Sequence, residues 1–175
     1  MSATPPHDWP ADIYAALKSA QVKQVAYVPD AGHARLIKLC AADNAMRMVP
    51  LTTEEEGVAL AAGAWLGGQR AVLLMQSSGV GNCINTLSMI ATCQFPFLTI
   101  VTMRGEFGEF NPWQVPMGTA TPKSLELANV IVHRADEPAR VGETVAGAAR
   151  LAFSSYAAVA VLLSQQLIGA KTFGK

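Results

Sequence analysis

The sequence predicts an α/β fold, a doubly wound and mainly parallel sheet of about six strands with helices on both faces. Two observations carry that expectation. Residues 71–75 and 97–103 are short, almost unbroken apolar runs, the pattern of strands buried on both faces. Segments with helical character stand between such runs, and turns bearing Gly, Pro or Ser follow them. Strand, turn and helix in alternation is what parallel pairing requires, because each crossover must bring the chain back to the same end of the sheet.

In chain order, residues 1–10 are expected to be a Pro-rich, loose leader, and residues 11–175 a single domain. Trp9-Pro10-Ala11-Asp12 opens a helix that carries Ile13, Ala16, Leu17 and Ala20 on one face. Residues 25–28 form the first buried strand, which Pro29 ends because it cannot donate to a ladder. A helix follows near 34–42, and a second strand over 46–51 delivers the chain to Glu54, Glu55 and Glu56. Those carboxylates suit the positive end of a helix dipole, the Ala-rich run after them favours helix, and Gly67-Gly68 stops it. The strand 71–75 leads into a Ser-Gly turn over 77–82 and a further helix over 83–92. After the strand 97–103, residues 104–121 read as a long loop with few periodic apolar positions, and loops of that length are usually functional. A short helix (123–128), a short strand (130–133) and a long helix (137–155) precede the strand 158–163, which is expected to close the sheet.

Composition excludes several function classes. The chain has 175 residues, 51% hydrophobic and 15% charged, with a formal net charge of zero. It is too apolar for a disordered chain and has no basic excess for nucleic acid. No apolar run is long enough to span a bilayer, and the N-terminus lacks the basic and apolar regions of a secretion signal, so a cytoplasmic protein with no membrane partner is expected. Cys40, Cys83 and Cys93 lack metal-type spacing and read as buried, reduced thiols. His7, His33 and His133 are scattered, and no Gly-x-Ser-x-Gly hydrolase motif occurs.

Ligands of parallel sheets collect beyond the carboxyl ends of the strands, where both the glutamates and the Ser-Gly turn are expected. Spacing alone leaves the three glutamates open to a plain reading as a solvated first helical turn. The order of motifs says more. Glu54 begins a small-residue helix containing Ala61-Ala62-Gly63; a strand follows, then Gln76-Ser77-Ser78-Gly79-Val80-Gly81-Asn82. Val28-Pro29-Asp30 lies upstream and Arg104-Gly105-Glu106 downstream. This ordered set covers most of the chain. It resembles the pyrimidine-binding domain of thiamine diphosphate enzymes, in particular the two-subunit sulfopyruvate decarboxylases and the related phosphonopyruvate decarboxylases.

The resemblance implies roles for particular residues. In that family a Glu at the head of the small-residue helix hydrogen-bonds the pyrimidine ring nitrogen of the cofactor and moves a proton there, work that burial of the carboxyl favours. Aligning Ala61-Ala62-Gly63 with the family pattern puts this Glu at Glu54, with a one-residue slip to Glu55 as the alternative. Glu55 and Glu56 project about 100° and 200° away on a helical wheel and read as helix-start or interface charges. Pro29, Asp30, Gly79 and Asn82 are expected around the cofactor pyrimidine, with the glycines allowing close approach and unusual dihedral angles. Gln76 and Ser78 are candidates for substrate contact. Arg104 resembles the Arg of an Arg-Gly-Glu loop, where a guanidinium grips a carboxylate, sulfonate or phosphonate; Gln114 of the same loop is expected beside it. An internal pairing of Arg104 with Glu106 or Glu109 is the plainer alternative. Phe107 and Trp113 suit a water-excluding lid or a subunit interface.

Two departures matter. Relatives of the Val-Pro-Asp type commonly carry Ser two positions after the Pro, where this chain has Ala31, which offers no hydrogen bond. His33 is a substitute donor, or else a partly exposed surface histidine. The superfamily's Gly-Asp-Gly motif, which with a later Asn holds the diphosphate and Mg2+, has no counterpart, since the sequence contains no Gly-Asp pair. The expectation is therefore the α subunit of a hetero-oligomer acting on a small 2-oxo acid. A β subunit would carry the diphosphate-binding domain and the Mg2+. A noncatalytic assembly subunit of the same fold is the rival from another class.

Overall fold

The computed structural model describes residues 7–169. Six strands form one sheet in which every pairing is parallel: β1 (Val22–Tyr27), β2 (Arg47–Pro50), β3 (Arg70–Gln76), β4 (Phe97–Thr102), β5 (Ile131–Ala135) and β6 (Ala158–Leu163). Their spatial order is β2-β1-β3-β4-β6-β5. The chain leaves β1 toward one side, makes β2, then crosses back to the other side of β1. This reversal opens a crevice beyond the carboxyl ends of β1 and β3.

Eight α-helices are described: α1 (Trp9–Ser19), α2 (Ala34–Ala41), α3 (Glu55–Leu66), α4 (Ser77–Cys83), α5 (Ser88–Cys93), α6 (Gln114–Leu127), α7 (Val141–Ser155) and α8 (Gln165–Ile168). Two apolar clusters show how they divide between the faces. On one, Ile13 and Leu17 of α1, Leu36 and Cys40 of α2, and Val141, Val145, Ala148 and Ala152 of α7 meet Val72, Leu74, Leu98, Ile100 and Val161. On the other, Val58, Ala61 and Ala64 of α3, Val80 and Cys83 of α4, Ile90 of α5 and Leu125 of α6 meet Leu73, Met75, Phe97, Val101 and Leu162. Residues 72 and 74 thus face one layer, and 73 and 75 the other, the period of two that a strand imposes. Both layers are apolar, which is why β3 and β4 read as unbroken runs.

Several local expectations need correction. Residues 77–82 are not a turn: helix α4 starts immediately after β3. Neither Gly79 nor Gly81 has a positive φ, so these glycines serve space rather than an unusual dihedral angle. The 104–121 loop is shorter than expected, because α6 begins at Gln114. Pro116 lies in its first turn, where a missing N–H removes no helical bond. Gly118 is required there because a Cβ would run into the Arg104 carbonyl. The long helix before β6 starts as a 3₁₀ turn at Pro138–Arg140. Strand β6 does not close the sheet but lies between β4 and β5. Cys40 and Cys83 are buried as expected, whereas Cys93 is exposed on the last turn of α5. Of the expected leader, residues 1–6 lie outside the described residues, and α1 already includes Trp9 and Pro10. No helix among the described residues is long and apolar enough to cross a membrane.

Candidate active site

Glu54 lies four residues beyond β2 with helical backbone angles, φ −64° and ψ −29°, and caps the start of α3. The residue is only 8% exposed. Its side chain meets α4: Glu54 Oε2 accepts from Asn82 Nδ2 at 2.8 Å. Gly79 lies so close that a Cβ there would collide with Glu54 Cγ and its carboxyl group. The second oxygen, Oε1, accepts no hydrogen bond from the described residues. One carboxylate oxygen is therefore anchored and the other left for something the chain does not itself provide. Glu55 and Glu56 differ. Both are exposed, and Glu56 Oε2 accepts from Thr52 N at 2.9 Å, a helix-start contact.

The ends of β1, β3 and β4 are tied together by Asp30. Its Oδ2 accepts from Thr102 Oγ1 (2.8 Å) and Gly32 N (3.0 Å), and its Oδ1 from Gln76 Nε2 (2.9 Å). Burial alone would raise the Asp30 carboxyl; the hydrogen bond from Thr102, the nearby His33 and the hydrogen bond from Gln76 outweigh it and hold the group below its usual range. Gln76 then accepts from Ser78 Oγ at 3.0 Å. Thr102, Asp30, Gln76 and Ser78 thus form one chain of hydrogen bonds along the switch-point crevice. Gln76 and Ser78 are half-buried there and Pro29 is exposed. Asp30, expected at the cofactor, has its oxygens engaged by three internal donors.

His33 is a correction. It is neither exposed nor brought to the crevice: it is fully buried, with Nε2 placed 3.2 Å from both the Met75 and Ile100 carbonyls. Two carbonyl acceptors require Nε2 to carry the proton, so the ring braces β3 against β4. Burial holds its pKa below the ordinary histidine value. Ala31, by contrast, is exposed at the edge.

Arg104 follows β4 and is 7% exposed. Its backbone N–H donates to Ser77 Oγ at 3.1 Å, which roots it beside Ser78. Of the two internal pairings left open, the one to Glu109 forms, through Nε (2.7 Å) and Nη2 (2.6 Å). Glu106 pairs instead with Arg134, at 2.6 and 2.7 Å. The Arg104 hydrogen bonds hold the Glu109 carboxyl down to about 2. Gln114 is the first residue of α6, and its buried Oε1 has no hydrogen-bond partner. Trp113 is 66% exposed, Phe107 is exposed too, and the partly covered Phe110 ring lies under the Arg104 guanidinium, whose central carbon is 5.7 Å from the ring centroid. Thr102 escaped the reading of the sequence, Glu109 was read only as an alternative ion-pair partner of Arg104, and a polar Ser-Gln pair just past the last strand was the only cue to Gln165.

The described residues contain no group of three or more His, Cys, Asp or Glu side chains that could hold a metal ion. A concavity of about 610 Å³ lies at the opposite, amino end of the sheet, lined by residues including Ile90, Phe95, Ile131 and Tyr156. It is remote from Glu54 and has none of these polar groups.

Comparison with known proteins identifies the family and the fold. Residues 10–107 match the family described as thiamine pyrophosphate enzyme, N-terminal TPP binding domain. The sulfopyruvate decarboxylase subunit alpha of Methanothermobacter thermautotrophicus is 37% identical over 152 residues, covering 86% of this chain and 92% of that one. The phosphonopyruvate decarboxylase of Streptomyces viridochromogenes is 38% identical over 122 residues, covering 69% of this chain but only 31% of that protein. Among solved structures, the 2-oxoglutarate:ferredoxin oxidoreductase of Magnetococcus marinus superposes with a TM-score of 0.71 over 91% of this chain and 29% of its own, at 14% identity, a likeness of fold. With its parallel sheet, its buried Glu54 and a relative matched over nearly its full length, the chain belongs to the family of sulfopyruvate decarboxylase alpha subunits, built on the thiamine pyrophosphate enzyme N-terminal domain.

Proposed function

We propose that this chain is the pyrimidine-binding half of a thiamine diphosphate-dependent decarboxylase of a small 2-oxo acid, with sulfopyruvate as substrate. The observation that carries this reading is the Glu54 carboxyl, buried, anchored on one oxygen by Asn82 and bare on the other. A carboxyl so placed can hold or pass a proton at a heterocyclic nitrogen brought against its bare oxygen. Gly79 lets the Glu54 carboxyl pack directly against α4, because a Cβ there would collide with Glu54 Cδ and Oε1, and this fixes where the carboxyl is held. The bound cofactor would supply the electron sink for loss of carbon dioxide.

The rest of the site is expected from a partner. The relative is named a subunit alpha, and this sequence has no Gly-Asp pair for a diphosphate and Mg2+ motif. A β subunit holding those groups, assembled with this chain into a hetero-oligomer, completes the proposal. Exposed Phe107 and Trp113 at the carboxyl edge fit burial by that partner. Phosphonopyruvate is the second substrate reading, because the phosphonopyruvate decarboxylase match covers 69% of this chain and a guanidinium takes either anion. Sulfopyruvate and phosphonopyruvate assays of the chain with and without its partner, with thiamine diphosphate and Mg2+ present, test the proposal. Activity only in the assembled complex is expected; turnover by the chain alone, or none by the complex, counts against it.

A further inference from the structure

Gln165, just past β6, is 1% exposed and uses both ends of its amide. Its Oε1 accepts from two consecutive backbone N–H groups, Glu106 (2.9 Å) and Phe107 (3.0 Å), while Nε2 donates to Glu109 Oε2 at 2.9 Å. The flipped amide would face NH2 toward two donors and oxygen toward a carboxylate, so only one orientation works. Its backbone is held in turn, because Ser164 N donates to Ala135 O (3.0 Å) and Ser164 Oγ caps α8 by accepting from Leu167 N (3.3 Å). The segment after one strand thus grips the loop after another.

Through Glu109 the grip reaches Arg104. Glu109 takes Nε and Nη2 of the guanidinium, whose central carbon lies 5.7 Å from the centroid of the Phe110 ring, and Nη1 donates no hydrogen bond to the described residues. Glu109 also accepts from Gly105 N (3.2 Å), Asn111 N (3.0 Å) and the Gln165 amide. A carboxylate that spreads its charge over three further donors neutralises the guanidinium less completely, so positive character stays with the open Nη1 edge.

On the functional reading above, we propose that Gln165 is a positioning residue for substrate charge: by holding Glu109 and the 104–109 loop, it keeps the Nη1 edge of Arg104 turned toward the second anionic group of a dianionic 2-oxo acid. Gln165 itself touches no substrate. Its effect is on where a charge is held, so it belongs in KM and not in kcat.

Two variants in the complex with the partner subunit separate the parts of this role. Q165E keeps an acceptor for the Glu106 and Phe107 amides but replaces the donor to Glu109 with a second anion. It is expected to raise KM for sulfopyruvate about tenfold, with kcat within about twofold and both amides still protected from hydrogen exchange. Q165L removes both functions, and the two amides should lose protection. A fall in kcat without a rise in KM, or unchanged kinetics in Q165E, overturns the positioning role. Protected amides in a folded Q165L overturn the grip itself. If the unmodified complex fails to turn over sulfopyruvate, the functional reading falls on its own, and the exchange measurement still decides whether Gln165 holds the loop.

Discussion

Glu54 and Glu109 are carboxylates sunk near the same edge of the sheet, one in a residue 8% exposed and the other with a side chain 3% exposed. Glu109 accepts from five donors: Arg104 Nε and Nη2, the Gly105 and Asn111 N–H groups, and the Gln165 amide. Glu54 accepts from one, Asn82 Nδ2. Burial is thus common to both, and saturation is what separates them. A carboxylate whose lone pairs are all engaged is a fastener, held ionised and in place. One with a bare oxygen beside a glycine-cleared surface is available for chemistry. The same contrast explains Asp30, which shares the crevice with Glu54 but, like Glu109, is engaged on both oxygens.

The comparison is broken most severely at Glu54. Glu54→Gln keeps a group for Asn82 to bond but removes the proposed proton-transfer group, so activity of the assembled complex should fall on the order of 10²- to 10⁴-fold with assembly intact. Exposed Glu55→Gln should stay within about threefold, since surface changes are nearly neutral. Full loss in Glu55→Gln and not in Glu54→Gln would move the active carboxyl by one residue. Steady-state rates of both variants, each checked for co-purification with the partner, decide it.

Gly79→Ala attacks the clearance instead of the carboxyl. The added methyl must push Glu54 aside, an overpacking expected to cost about 1–3 kcal/mol of stability. A lower thermal midpoint together with lost activity is the expected pair of results. Unchanged activity would show that Glu54 does not need that position. Asn82→Ala releases the anchored oxygen and leaves Glu54 in place, so a fall in kcat of about tenfold is expected, in line with one hydrogen bond to a carboxylate.

The smallest effect sharpens the other side of the contrast. The Glu109 carboxyl is held down from the usual 4.5 to about 2, chiefly by its hydrogen bonds from Arg104. A depressed acid contributes stability that is complete above its ordinary value and is lost as the pH falls through the folded value. The loop should therefore hold unchanged from pH 7 to pH 5 and lose stability progressively as the pH falls from about 4.5 to about 2. Exchange protection of the Gly105 and Asn111 amides, both donors to Glu109, reports this directly. Protection that stays constant from pH 5 down to about 2 would show that the carboxyl is not held as the geometry requires.

Much of the fold was legible along the chain because its causes are local. Apolar runs such as 71–75 and 97–103 announce strands covered on both faces, whereas the choice of Glu54 over its neighbours came from the family resemblance, with Glu55 as the alternative. Gly79 and Asn82 were expected at the cofactor pyrimidine from the same resemblance, and the structure sets both against Glu54. Helix α4 and the start of α6 were not legible: glycine and proline read as breakers, while in the fold they answer the approach of Glu54 and Arg104 from elsewhere in the chain. What only the tertiary structure decided is which polar groups saturate one another. Asp30 meets Thr102 across 72 residues and Gln165 meets Glu109 across 56. His33 is sealed between carbonyls of two strands. Those partners are set by the strand order β2-β1-β3-β4-β6-β5, which brings distant strand ends side by side. A local pattern of apolar and polar residues says that a strand exists and which faces it buries, but carries no term for its neighbours. Whether a buried carboxylate becomes a fastener or a reactive group depends on those neighbours alone.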